Sequence, residues 1–192
     1  MSWLTVLLGY LLGSIPTAYI AGRLTRGKDI RHMGDGNMGA RNAYYELGAR
    51  VGVAVGAVDA GKGALAIVIA QVAGVSQPVV LLAGVAAVIG HNWPVFIGFR
   101  GGRGEATTIG VLLVVVTLPV LIVAGPAIAA HLFLKDTTRA APFIFVPLPF
   151  ICWWLGVSGI LIAYTVALPC LVGFTHFLRT RQLAHTSGSG TA

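Results

Sequence analysis

The sequence predicts an all-α fold, a polytopic transmembrane helical bundle, and three observations carry that prediction. Only 10% of the 192 residues are charged, against roughly 25% in soluble domains. The mean hydropathy is +0.85, and 56% of the residues are hydrophobic. The apolar runs are far longer than barrel strands and do not alternate, which excludes a β-barrel. The formal charge is +7, from 13 Lys and Arg against 6 Asp and Glu. That balance suits an anionic partner, although cytoplasmic loops of membrane proteins are basic in general. No basic face outside short loops is large enough for nucleic acid. Cys152 and Cys170 lie in apolar surroundings with no metal or disulfide spacing, so no metal is expected.

Residues 2–22 read as the first span, retained because they lack a basic leader and a small-residue cleavage site. Gly9 and Gly13 stand at GxxxG spacing for close helix contact, and Pro16 predicts a kink near one end. Residues 23–50 are the longest polar segment and carry six basic residues, Arg23 to Arg50. Residues 51–73 are apolar except for Asp59 and Lys62, and Gly48, Gly52 and Gly56 give this helix a smooth packing face. An uncharged turn at 74–77 leads into the span 78–98. A 28-residue apolar run, 107–134, contains Pro119, and a charged turn follows at 135–139. Residues 140–178 are apolar, with Pro142, Pro147 and Pro149 and a break at Gly156–Gly159. Arg179 and Arg181 close the single integral-membrane domain, 1–183, and 184–192 reads as a small-polar, disordered tail.

Basic loops face the cytoplasm. That rule puts the N-terminus outside and residues 23–50, 100–106 and the C-terminus inside, in a cell membrane. Keeping 135–139 inside as well requires 107–134 and 140–178 each to cross twice, giving seven spans. The alternative is five, with that turn outside. A crossing takes about 20 residues, so two within 107–134 must be short, with Pro119 at the outer turn.

The chemistry concentrates in residues 90–108, GHNWPVFIGFRGGRGEATT. Three glycines in four positions free the backbone to curl, so that the Gly101, Gly102 and Gly104 N–H groups can converge on an anion. Arg100 and Arg103 add fixed charge and a planar fork of donors suited to phosphate. A helix opening at Thr107 would add a favourable dipole. His91 and Asn92 precede this loop and Glu105 ends it. In the first polar segment, Gly34-Asp35-Gly36-Asn37-Met38-Gly39-Ala40-Arg41-Asn42 matches GxGxxG. Without a strand before it the dinucleotide reading fails, leaving a glycine turn ahead of a short helix as a second phosphate cradle. Gly56-x4-Gly61-Lys62-Gly63 lacks the Ser or Thr of a P-loop and lies in a span, which excludes ATP. Asp59 and Lys62 share a helical face and can pair. Charges within a span are functional by default, and Lys62 is a candidate to share its charge with a phosphate.

The ordered set GSIP, GDGNMGARN, D-x-x-K-G and GH-x-x-PVF-x-x-F-R-GG-R-G-x-AT resembles the acyl-phosphate-dependent glycerol-3-phosphate acyltransferase family of bacteria. The match is dense over residues 9–110. It implies acyl transfer from an acyl phosphate to the 1-hydroxyl of glycerol 3-phosphate, giving lysophosphatidate and phosphate, the first step of phospholipid synthesis. No cofactor or metal is implied, and the partners are the two substrates and membrane lipid. Positioning of two phosphates, without a protein nucleophile, would supply the rate. On this resemblance Arg100, Arg103 and the Gly101–Gly104 amides bind one phosphate. Asn37, Arg41 and Asn42 bind the companion, with Lys62 near, while His91 and Asn92 orient the polar head. The chain departs from the family pattern at Asp35, Arg41, Arg100, Arg103 and Glu105. Pairing of Asp35 with Arg41 would compensate two of these exchanges, and another acceptor is the alternative account. The C-terminal basic segment offers only Arg179 and Arg181, and no site residue is carried over there. A small transporter or channel for a phosphorylated anion would use the same loops.

Overall fold

The computed structural model describes residues 2–188, and among these there is no strand. Helix α1 (Ser2–Gly13) stops where Pro16 interrupts the backbone, and α2 (Thr17–Arg26) resumes and ends on left-handed Gly27. The kink expected at Pro16 is therefore a complete break. A short helix, α3 (Ala40–Leu47), precedes α4 (Ala49–Val72), α5 (Gln77–Asn92), α6 (Glu105–Val115) and α7 (Thr117–Leu134). Three short helices follow, α8 (Thr137–Ala140), α9 (Pro142–Phe145) and α10 (Leu148–Trp154). The last helix is α11 (Gly159–Gly188), and of the tail expected at 184–192, residues 189–192 lie outside those described.

Five stretches are long and apolar enough to cross a membrane: Ser2–Arg26, Ala49–Val72, Gln77–Ile97, Thr117–Leu134 and Gly159–Arg181. The run 107–134 divides at Val116, where Pro119 falls in the first turn of α7 and needs no N–H partner. That leaves α6 a rise of about 16 Å, roughly half of a bilayer core. The run 140–178 divides at Gly156, which takes a φ of 72°.

Packing follows the small residues. In lipid there is little hydrophobic drive between helices, so close backbone approach does the work. Gly9 and Gly13 of α1 face the backbone of Ala83 and Ala87 on α5, while Gly63 of α4 faces Thr107 and Gly110 of α6 faces Ala60. Gly52 and Gly56 seat α3 on α4 through Tyr44 and Ala40. A buried core of Ile67, Val88, Val111, Leu112, Leu148 and Leu168 joins α4 to α11. A smaller one, with Ile30, Met38, Leu47 and Val55, fastens the first polar segment to the end of the bundle. Large apolar side chains such as Phe133, Trp153 and Trp154 point outwards.

Candidate active site

Helix α5 ends at His91 and Asn92, and the chain doubles back over that end. Gly101 N donates to Asn92 O at 3.2 Å and Gly102 N to His91 O at 3.0 Å. The glycine loop thus satisfies carbonyls that the helix terminus leaves free. Of the amides expected to converge on an anion, those of Gly101 and Gly102 are thus committed to α5 carbonyls. Gly102 is required for a different reason, since a Cβ there would meet His91 Nε2. The left-handed residue of the loop is Gly104, at φ 86°.

Behind the loop lies a buried polar cluster. Asp59 Oδ1 accepts from Thr17 Oγ1 and Lys62 Nζ, each at 2.9 Å, and His91 Nδ1 lies 3.6 Å away. Lys62 Nζ also donates to Ile15 O at 3.0 Å, a carbonyl in the break that Pro16 makes. The Asp59 and Lys62 side chains are 1% and 5% exposed. Burial of such a pair calls for further hydrogen bonds, which Thr17 and Ile15 supply in part, while among the described residues Asp59 Oδ2 has no partner. Lys62 is therefore directed towards the α1–α2 break rather than towards a phosphate, contrary to the role expected of it.

Three neighbouring spaces that share lining residues lie beside this cluster. An inner cavity of about 190 Å³ is lined by Asn37, Gly39, Arg41, Asp59, His91, Arg103, Gly104 and Glu105, among others. An outer one of about 520 Å³ gathers Arg31, Arg100, Arg103 and Arg179 with Asp35, Gly36 and Asn37. The two share Arg103 and Asn37. A groove of about 610 Å³, lined by Tyr44, Tyr45, Val53 and Leu132, meets the inner cavity at Ala40, Arg41 and Thr137. The Nε atoms of Arg41 and Arg103, and Asn37 Oδ1, are buried without a hydrogen-bond partner.

The expected Asp35–Arg41 pair does not form. Arg41 reaches across to Asp136 in the α7–α8 turn at 3.1 Å, and Asp35 lies 3.4 Å from Arg103. The cause is direction: α3 aims Arg41 at α7, while Asp35 sits in a turn whose carboxylate accepts from Asn37 N. Asn42 is also inward. Its amide donates to Met33 O and Asn37 O at 3.0 and 2.9 Å, stapling the Gly34–Gly39 turn. Gly34 packs on the Asn42 and Glu46 side chains. Thr107 is buried on the face of α6 that meets Gly63, and it lines none of these spaces. Asn92 ties the site to α11, its Nδ2 donating to Thr175 Oγ1 at 2.9 Å and its carbonyl accepting from Arg179 at 3.1 Å. Arg31, Thr175 and Arg179 were not foreseen as site residues. For Arg31 and Arg179 the only sequence signal is basic charge near a span end, and Thr175 has none. Arg31 is fixed by Asp29 and by Ile97 O at 3.0 Å, and the Arg31 hydrogen bond holds the Asp29 carboxyl down to about 2.

Comparison with known proteins gives a consistent answer. The family model described as glycerol-3-phosphate acyltransferase matches residues 3–186. A relative from Dehalococcoides mccartyi named glycerol-3-phosphate acyltransferase 4 is 50% identical over 95% of this chain and 98% of its own length. A second from that organism, glycerol-3-phosphate acyltransferase 1, is 38% identical over 93% and 89%. The crystal structure of PlsY (YgiH), an integral membrane glycerol 3-phosphate acyltransferase in its glycerol 3-phosphate form, superposes with a TM-score of 0.84 at 29% identity, covering 96% of this chain and 92% of that one. Its lysophosphatidic acid form gives 0.79 at 27% identity over the same shares. The likeness runs along almost the whole length, and the chain belongs to the glycerol-3-phosphate acyltransferase family of integral membrane enzymes.

Proposed function

We propose that the enzyme transfers an acyl group from an acyl phosphate to the 1-hydroxyl of glycerol 3-phosphate, giving lysophosphatidate and inorganic phosphate. One observation carries this reading. Arg41 and Arg103 both line the inner cavity, and two guanidinium forks at one enclosed space suit a phosphate or acyl-phosphate group. The neighbouring spaces fit the two reactants. The groove beside Tyr44, Val53 and Leu132 suits an acyl chain, the inner cavity the reacting carbonyl, and the four-arginine cavity the phosphate of the acceptor. Arg103, which lines both polar spaces, would bridge the two phosphates and stabilise charge on the leaving one. The step forms a bond from the acceptor oxygen to the acyl carbon and breaks the bond from that carbon to the phosphate oxygen. Glycerol 3-phosphate as acceptor is supported by the glycerol 3-phosphate form of PlsY.

The divided runs 107–134 and 140–178 support seven passes, with α6 as a short one and every basic loop on the cytoplasmic side. The site would then open to the cytoplasm. The test of function is turnover: purified protein in lipid, given palmitoyl phosphate and glycerol 3-phosphate, should release phosphate and form lysophosphatidate. Phosphate release without acyl transfer, or transport of glycerol 3-phosphate without turnover, would overturn the reading.

A further inference from the structure

The chain has six carboxylate side chains, and they divide by what they touch. Asp29, Asp35, Asp59 and Asp136 each hold a cation, Arg31, Arg103, Lys62 and Arg41 respectively. Glu46 lies on α3 beside Gly34. Glu105 differs from all of these. It opens α6 and lines the inner cavity, yet among the described residues it makes no ion pair and accepts no hydrogen bond. Charged groups surround it on every packed element: Arg41 on α3, Asp59 on α4, His91 on α5, Arg103 in the loop before it and Asp136 in the α7–α8 turn. Asp59 is held through Oδ1 by Thr17 and Lys62, with Oδ2 buried and without a partner among the described residues, and Asp136 is held by Arg41.

A carboxylate inside an anion-binding cavity weakens binding of every phosphate beside it. Its lone pairs stay open to whatever occupies the cavity. The acyl transfer proposed above has one group that needs such an acceptor, because the attacking hydroxyl must lose its proton as it bonds to the acyl carbon. We propose that Glu105 is a catalytic residue of this chain: it accepts the proton of the acceptor's hydroxyl during attack. The oxygen–carbon bond forms, the carbon–phosphate oxygen bond breaks with its electron pair leaving on phosphate, and the proton passes from Glu105 to the released phosphate. The acceptor is thereby selected as a phosphorylated polyol, its phosphate on the outer arginines and its hydroxyl directed at Glu105.

The test compares wild type, Glu105→Gln and Glu105→Asp in lipid with palmitoyl phosphate and glycerol 3-phosphate across a pH series about neutrality. General bases contribute about a hundredfold or more. Glu105→Gln should therefore lose at least about that factor in kcat, with KM unchanged or lowered as a negative charge leaves the anion-binding cavity, and should lose the acid-side fall of the wild-type rate. Glu105→Asp should recover part of the loss. Thermal unfolding and size-exclusion profiles matching wild type establish that the variants fold. If Glu105→Gln does not fold, a wild-type kcat with no acid-side fall still overturns the assignment, as does a Glu105→Asp profile identical to wild type. A folded Glu105→Gln variant with near-normal kcat, or one changed only in KM, overturns it while leaving acyl transfer standing. An inactive wild-type protein overturns the acyl-transfer reading itself, and this assignment with it.

Discussion

In α1, α4, α5 and α6, backbone lies against backbone: Gly9 and Gly13 on α5, Gly63 and Gly110 across the α4–α6 seam. In α7 and α11, Gly125, Gly159 and Gly173 face open space, and contact is made by side chains such as Val120, Val123, Leu148 and Leu168. The difference matches the distribution of the candidate chemistry. Asp59, His91, Asn92 and Arg103 stand on or beside the backbone-stitched helices, whose spacing is fixed by atoms that cannot rotate away. The other half supplies tethers through long side chains, Asp136 to Arg41 and Arg179 to Asn92. One half sets positions to within a van der Waals contact, and the other closes around it.

The contrast is broken most directly by adding bulk to each half. Gly110→Leu would place side-chain atoms on the Ala60 backbone, and overpacking of this kind costs about 1–3 kcal/mol or more. The variant should lose its monodisperse profile or melt several degrees lower, whereas Gly173→Ala should melt at or above wild type, because it fills open space and improves helix propensity. Equal effects on thermal unfolding would dissolve the distinction.

Arg103→Ala comes next. Removing hydrogen bonds to a charged group costs roughly 1.5–3 kcal/mol, so kcat/KM should fall about ten- to a hundredfold, with Arg103→Lys retaining much more. Gly102→Ala should also be damaging, though it changes no charge, because its Cβ meets His91 Nε2. Kinetics within a factor of about two of wild type for both alanine variants would leave the loop a mere connector.

The tethers allow a finer cut. In a double-mutant cycle on stability, Arg41→Ala and Asp136→Ala should couple by about 0.5–3 kcal/mol, while Arg41→Ala and Asp35→Ala should add. Coupling with Asp35 instead would restore the local pairing and remove the long-range closure.

The smallest effect concerns Asp29, held to about 2 against an ordinary 3.8 by its Arg31 hydrogen bond. Above about pH 4 the carboxylate is ionised in both the folded and the unfolded chain, and the pair contributes its full stability. As pH falls towards about 2 the unfolded chain binds a proton first, so that stability is lost. Acid titration of the melting temperature should show this decline in wild type and a shallower one in Asp29→Asn, which should lose no more than about 1 kcal/mol at neutrality.

Several features were determined by the sequence alone, because they are properties of composition or of a few neighbouring residues. Scarcity of charge sets the membrane class. Pro16 breaks the first helical segment because its ring and missing N–H act locally. The spacing of Gly9 with Gly13, and of Gly52 with Gly56, marks faces for close packing whatever the partner. The candidate site was legible as a set: His91, Asn92, Arg103, Asn37, Arg41 and Asp59 do converge. Only the tertiary structure decided what each one touches. Arg41 finds Asp136 95 positions away, and Asn92 finds Arg179 at 87. The Gly101 and Gly102 amides turn to α5 carbonyls, and Lys62 turns to the Pro16 break. Such pairings depend on the angle and depth at which distant helices pack, and a shift of one helical turn would exchange every partner.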